Sequence, residues 1–152
     1  YYKRLIKKGF TQDYYAYDEV DFKPVVDKIS AIEKVDNLHW IENVDSIIGF
    51  EGQIILSEVI EHNTLEEAKK MLIWIRDHTQ FTQLFVTTPN KDFNVNYEMV
   101  DEFRHDDHDF ELSNAEFVEL INEIFTNQKS FFGIGDCVNG VYPTSGVIIQ
   151  KK

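Results

Sequence analysis

The chain has 152 residues, enough for one domain with a sizeable core and too few for two. Hydrophobic residues make up 43% and aromatics 14%, which excludes a disordered chain. With 15 basic and 27 acidic residues the net charge is −12, which excludes broad coating of a phosphate polymer but leaves room for a local contact with one nucleotide. The lone Cys137 excludes an internal disulfide and a Cys-based zinc cluster. No apolar run approaches the roughly 18 residues that would cross a membrane, and YYKRLIKKGF has no apolar signal-peptide core. The expected setting is a cytoplasmic globular domain.

In chain order, Tyr1 to Lys8 reads as the tail of a helix, stopped by Gly9. Asp13 to Asp18 (DYYAYD) is aromatic-rich and reads as a strand. Pro24 suits a first helical position, and Val25, Ile29, Ile32 and Val35 follow at helical spacing. Leu38 to Ile41 is a short strand. Gln53 to Ser57 (QIILS) is a continuous apolar run, expected to be a strand buried on both faces. Thr64 with Glu67 makes a capping box ahead of Leu65, Ala68, Leu72 and Ile75. Leu84 to Thr88 is another buried strand, stopped by Pro89. Ser113 with Glu116 repeats the capping box ahead of Phe117, Leu120, Ile121 and Ile124. Phe131 to Ile134 and Val147 to Ile149 are two closing strands around a turn holding Gly140, Pro143 and Gly146. Alternating strands and helices that end in two strands with no helix between them predict an α/β fold, a doubly wound parallel sheet ending in an antiparallel pair, as a single domain. His39, His78, Trp40, Trp74 and Cys137 read as structural or solvated residues, and Lys3, Lys7 and Lys8 as a solvated helix face.

Ligands of such sheets sit beyond the carboxyl ends of the strands, and two segments there are unusual. Ser57 runs directly into Glu58-Val59-Ile60-Glu61-His62. If the backbone coils there, residues 58, 61 and 62 share a face, and two carboxylates would repel unless a cation sat between them. Oxygen and imidazole donors suit Mg²⁺, Mn²⁺ or Fe²⁺. Alone, an E-x-x-E-H string is more often a solvated stretch before a helix. It is neither H-E-x-x-H nor H-x-x-E-H, so a metalloprotease fits poorly. Pro89 to Leu112 is too long for a simple connector and contains Phe103-Arg104-His105-Asp106-Asp107-His108-Asp109-Phe110-Glu111. Two His among four carboxylates can be a solvated acidic loop, or one His can complete a metal site with the first cluster. Phe103 and Phe110 are expected to pin that loop to the body.

Taken together, SEVIEH, LFVTTPNKDFNVNYE and FRHDDHDFELSNAEF, in that order, resemble the small-RNA 3′-terminal ribose 2′-O-methyltransferases, whose pattern runs E-V-I-E-H, T-P-N-x-x-[FY]-N and F-R-H-x-D-H-x-F-E-W-[ST]. GIGDCVNGVYPTSGVII looks like that family's last strand pair. The resemblance covers Gln53 to Lys152; the first 52 residues fit only the general methyltransferase scaffold. It implies a Rossmann-like class I methyltransferase sheet and transfer of a methyl group from S-adenosylmethionine (SAM) to RNA. It also implies a divalent metal, Mg²⁺ or Mn²⁺, held by Glu58, Glu61, His62 and His108, gripping the 2′- and 3′-hydroxyls of the terminal ribose. Glu58 or His62 would accept the proton. His105 would sit behind the metal or face RNA, with Arg104, Asn90 and Lys91 as further RNA contacts. Asp18 would receive the SAM ribose hydroxyls, Asp45 would lie near adenine, and Ser57 would line the cofactor's end of its strand. The family's bacterial branch implies an RNA-repair setting with a kinase-phosphatase-ligase partner.

Three departures from the pattern carry expectations. No G-x-G motif precedes Asp18, so the first strand and its Gly-rich loop are expected in a segment upstream of Tyr1. Leu112 stands in place of Trp, which would loosen packing under the loop. The acidic charge requires RNA contact to be local. Two other classes use the same residues: a catalytically inactive binding module, and a SAM-dependent enzyme acting on a small molecule or protein.

Overall fold

A computed structural model describes residues 12–18, 21–99 and 102–151. The expected helix tail from Tyr1 to Lys8 lies outside the described residues. The chain divides into two compact units, Tyr1–Ile48 and Gly49–Lys152.

In the first unit, β1 (Tyr14–Ala16) pairs in parallel with β2 (Leu38–Trp40), Tyr14 opposite Leu38 and Ala16 opposite Trp40. Between them runs α1 (Lys23–Glu33), with Pro24 in its first turn and Lys34 ending it in a left-handed conformation (φ 54°). A two-stranded ribbon covers only a narrow stripe of a helix. Val26 is therefore buried with Ile29 and Val35 against it, while Val25 and Ile32, expected in that stripe, are exposed. Trp40 packs on the same small cluster.

In the second unit, β3 (Glu51–Ser57) and β4 (Gln80–Pro89) are parallel and joined through α2 (Leu65–His78). After α3 (Asn114–Ile124), β5 (Gln128–Ile134) and β6 (Thr144–Gln150) return antiparallel, giving the sheet order β3-β4-β6-β5. The antiparallel close is the expected one. Both capping boxes form: the Thr64 and Ser113 side chains accept from the Glu67 and Glu116 amides, and each Glu side chain accepts from the cap residue's own amide. They aim Ala68, Leu72 and Ile75 of α2 and Phe117, Leu120, Ile121 and Ile124 of α3 at one face of the sheet, onto Leu84, Val86, Val147 and Ile149. Leu112, which stands in place of Trp, is buried in that same core. β3 departs from expectation. It alternates, with Ile54 and Leu56 against the core and Ile55 52% exposed, because the described helices of this unit pack on one face of its sheet. Gly146 has a specific job: a Cβ there would lie 2.5 Å from Cε2 of Phe132, its partner across β5 and β6.

No helix among the described residues is long and apolar enough to cross a membrane.

Ser113→Ala should lower stability by about 1 kcal/mol, read as a fall in urea midpoint at unchanged slope. The Ser113 amide and hydroxyl hold the Glu116 carboxyl below its usual range. Its share of the cap is thus present above the ordinary glutamate pKa and fades as pH falls through the lower folded value. The gap between wild type and Ser113→Ala should narrow on acidification.

Candidate functional site

The site forms where β3 and β4 end side by side. The ladder continues one step past Ser57, with the Glu58 amide donating to the Thr87 carbonyl at 3.1 Å. Glu58 then takes a left-handed conformation (φ 54°), uncommon for a residue with a side chain. A single 3₁₀ turn, Ile60–His62, follows. The face sharing expected of a coiled 58–62 segment therefore does not occur, because the left-handed step breaks the helical phase.

Thr87 and Thr88 divide the two carboxylates between them. Consecutive strand residues point to opposite faces. The Thr87 hydroxyl donates to Glu58 Oε1 at 2.8 Å and lies 3.2 Å from the Ser57 hydroxyl. The Thr88 hydroxyl donates to Glu61 Oε2 at 3.0 Å. Glu58 is exposed, whereas Glu61 is 0% exposed and its Oε1 has no hydrogen-bond partner among the described residues. Burial pushes the Glu61 carboxyl up, and the neighbouring Glu58 charge adds to the rise against the hydrogen bonds and His62 that oppose it.

The loop from Pro89 to Leu112 folds back onto this turn. The Asp109 amide donates to the Glu61 carbonyl at 2.8 Å. That bond delivers His108, nearly buried, to the cluster: ligand atoms of Glu61, His62 and His108 all lie within 4.8 Å of one another. The two imidazoles meet edge to face at 5.0 Å, and His105, exposed, meets His108 likewise at 5.2 Å. Of the four expected metal ligands the structure gathers these three; Glu58 stays outside the cluster, held by Thr87. One bare carboxylate oxygen beside two imidazoles fits a divalent cation by donor type.

Other expected residues lie elsewhere. Asn90 is almost wholly buried; its amide donates to the Tyr142 carbonyl and its side-chain oxygen accepts from the Asp92 amide. Arg104 turns inward: Nε donates to Asn94 Oδ1 (2.7 Å) and Nη2 to the Asn90 carbonyl (2.6 Å), with its guanidinium over the Tyr97 ring. Both act as internal braces of the loop through these hydrogen bonds. Phe110 packs on the core as expected, whereas Phe103 is 42% exposed and is not part of that core cluster. In the first unit, Asp18 lines a cavity of about 240 Å³ with Asp21, Lys23, Trp40 and Glu42. Asp45 is exposed in a 3₁₀ turn capped by Asn43. Four residues of the site were not anticipated: Thr87, Thr88, Asn94 and Glu111. The last belongs to the F-E pair of the loop motif. Burial would raise the Glu111 carboxyl, but the Arg104 amide, the Asn94 amide group and His108 together hold it below its usual range.

No family model matches the chain. It is 34% identical over 88 residues to a small RNA 2′-O-methyltransferase of Caenorhabditis elegans, covering 57% of this chain and 18% of that protein. Its structure superposes on a chain of the Pnkp1/Rnl/Hen1 RNA repair complex with TM-score 0.80 and 27% identity, covering 99% of this chain and 34% of that one. Over part of its length the chain is similar to the small-RNA 2′-O-methyltransferases. The methyltransferase domain of bacterial CtHen1 shares the fold, with TM-score 0.76 and 18% identity over 99% of this chain and 83% of that one. The fold is thus that of the class I methyltransferases, and the chain spans about a third of the repair-complex chain it matches.

The Glu61 shift has a measurable sign. A carboxyl raised in the folded state contributes stability that is fully present below its unfolded pKa and is lost as pH rises through the folded one. In chelator, Glu61→Gln should gain on wild type in denaturation free energy as pH rises from the ordinary glutamate pKa through the raised folded one. A constant difference across that range would show that Glu61 is not shifted.

Proposed function

We propose that the chain is the methyltransferase part of an enzyme that transfers a methyl group from SAM to the 2′-hydroxyl of the 3′-terminal ribose of RNA, with Mg²⁺ or Mn²⁺ at Glu61, His62 and His108. The observation that carries the metal part of this reading is Glu61 Oε1, buried, unpartnered among the described residues and grouped with two imidazoles. A carboxylate so placed is costly unless a cation compensates it. The similarity to small-RNA 2′-O-methyltransferases supports the reaction and the substrate.

When bound, a divalent cation supplies Lewis acidity, polarising a ribose hydroxyl and lowering its pKa. The chain's own residues do the rest. Thr88 fixes one Glu61 oxygen and thereby aims the other at the cluster. Glu58, exposed and outside the cluster, is the group that can take the O2′ proton as the O–CH₃ bond forms and the sulfonium C–S bond breaks, leaving S-adenosylhomocysteine; His62, as a ligand whose Nδ1 faces the Asp107 acceptors, has no lone pair for it. His105, exposed beside His108, is assigned to the RNA end, and Asp18 and Asp45 are assigned to SAM as acceptors for its hydroxyls and adenine. Similarity to a chain of an RNA repair complex supports an RNA-repair setting, with a kinase-phosphatase-ligase as partner.

The test is transfer of labelled methyl from SAM to a short RNA by the full-length protein. An RNA with a 3′-terminal diol should be labelled and the same RNA ending in 2′-deoxyribose should not; equal labelling of both refutes the reading. Glu61→Ala and His108→Ala should each lower the rate by roughly 100-fold or more, the scale of several kcal/mol of lost charge stabilisation.

A further inference from the structure

We infer that Glu111 is a positioning residue that locks His108 as the Nδ1–H tautomer, so that Nε2 is the atom free to take a ligand, and that Arg104 and Asn94 exist to hold Glu111 for this task. The inference rests on the metal-holding reading of the cluster only where it predicts affinity; the tautomer follows from hydrogen bonds alone.

The hydrogen bonds run one way and leave no choice. An arginine Nε–H can only donate, so Asn94 Oδ1, 2.7 Å from Arg104 Nε, must be the acceptor. That fixes the orientation of the Asn94 amide and turns Nδ2 toward Glu111 Oε2 (2.6 Å) and the Glu102 carbonyl (3.3 Å). The Arg104 backbone N–H donates to Glu111 Oε1 at 2.7 Å. Both carboxylate oxygens are therefore acceptors, and His108 Nδ1, 2.7 Å from Oε1, must carry the proton. The Glu111 side chain is 0% exposed and that of His108 3% exposed, so water does not compete for the bond. His62 offers the contrast. Its Nδ1 also faces acceptors, the Asp107 carbonyl (3.2 Å) and carboxylate (3.3 Å), but the Asp107 side chain is 72% exposed and water can replace it.

Buried partners that orient a ligating imidazole are worth about 10- to 100-fold in metal affinity. Ring ¹⁵N–¹H correlation spectra of the metal-free full-length protein should show His108 as a single Nδ1–H tautomer, and Glu111→Ala should turn it into a mixture. Titration calorimetry with Mn²⁺ should show an affinity loss of about 10- to 100-fold in Glu111→Ala and no more than a few-fold loss in Asp107→Ala. If Glu111→Ala does not fold, the paired Asn94→Asp, Glu111→Gln variant keeps the test open. It moves the carboxylate one step back along the hydrogen-bond relay and keeps every other donor–acceptor pair matched while the Glu102 carbonyl loses its donor, and it should keep the Nδ1–H signature and Mn²⁺ affinity within a few-fold of wild type. An Nε2–H tautomer in the wild type, an unchanged tautomer in Glu111→Ala, or equal Mn²⁺ losses at 107 and 111 overturns the inference. A wild type that shows the tautomer but binds no Mn²⁺ overturns the metal reading and leaves the positioning role standing.

Discussion

Glu61 is the constraint around which the second unit's functional end is arranged. Its carboxylate is fully buried, one oxygen is taken by Thr88, and the other has no partner among the described residues. Removing such a group from water costs several kcal/mol unless something compensates it. Its own carbonyl also accepts from the Asp109 amide, so the residue that must be compensated is the one that docks the loop carrying His108. Main chain and side chain of one residue thus link the strand ends to the loop. A change at Glu61 would be felt at His108 even without a shared ligand.

The loop itself is ordered by a polar network in addition to its apolar anchors, Phe110 and Leu112. Arg104 ties Asn90 to Asn94, Asn94 and the Arg104 amide hold Glu111, and Glu111 holds His108. Each bond has a defined donor, so the network cannot flip into an equivalent state. A fully satisfied buried network of this kind specifies one arrangement, whereas a partly satisfied one would be costlier than an apolar core. Leu112 then anchors the loop's far end in the main core, and the Lys91 amide donates to its carbonyl at 2.9 Å, closing the loop at its base.

The sequence carried the local signals well. Both capping boxes, the four buried residues of α3 and the antiparallel close were legible because each depends on residues a few positions apart. The grouping of Glu61 and His62 with His108 was legible only through the joint motif, since nothing in the spacing itself brings a distant loop to a strand end. What failed did so for nonlocal reasons. A loop arginine and asparagine give no sign in the sequence of the internal partners that hold them. An apolar run looks buried on both faces until the helices of its unit pack on one, as Ile55 shows. Phe103 and Phe110 are alike in composition and differ only in which reaches the core.

The placement of Glu58 shows how two like charges can be kept close without sharing a task. In a continuous helix, positions 58 and 61 would stack and repel. Here a left-handed step at Glu58 and the alternation of Thr87 and Thr88 hold the carboxylates from opposite faces of one strand. Glu58 remains near enough to help raise Glu61 but stays exposed, with water to stabilise its charge. Away from water a fixed carboxylate attracts a cation more strongly than an exposed one does. In the proposed chemistry that division assigns proton traffic to Glu58 and charge anchoring to Glu61, and backbone strain at residue 58 is what keeps the two roles apart.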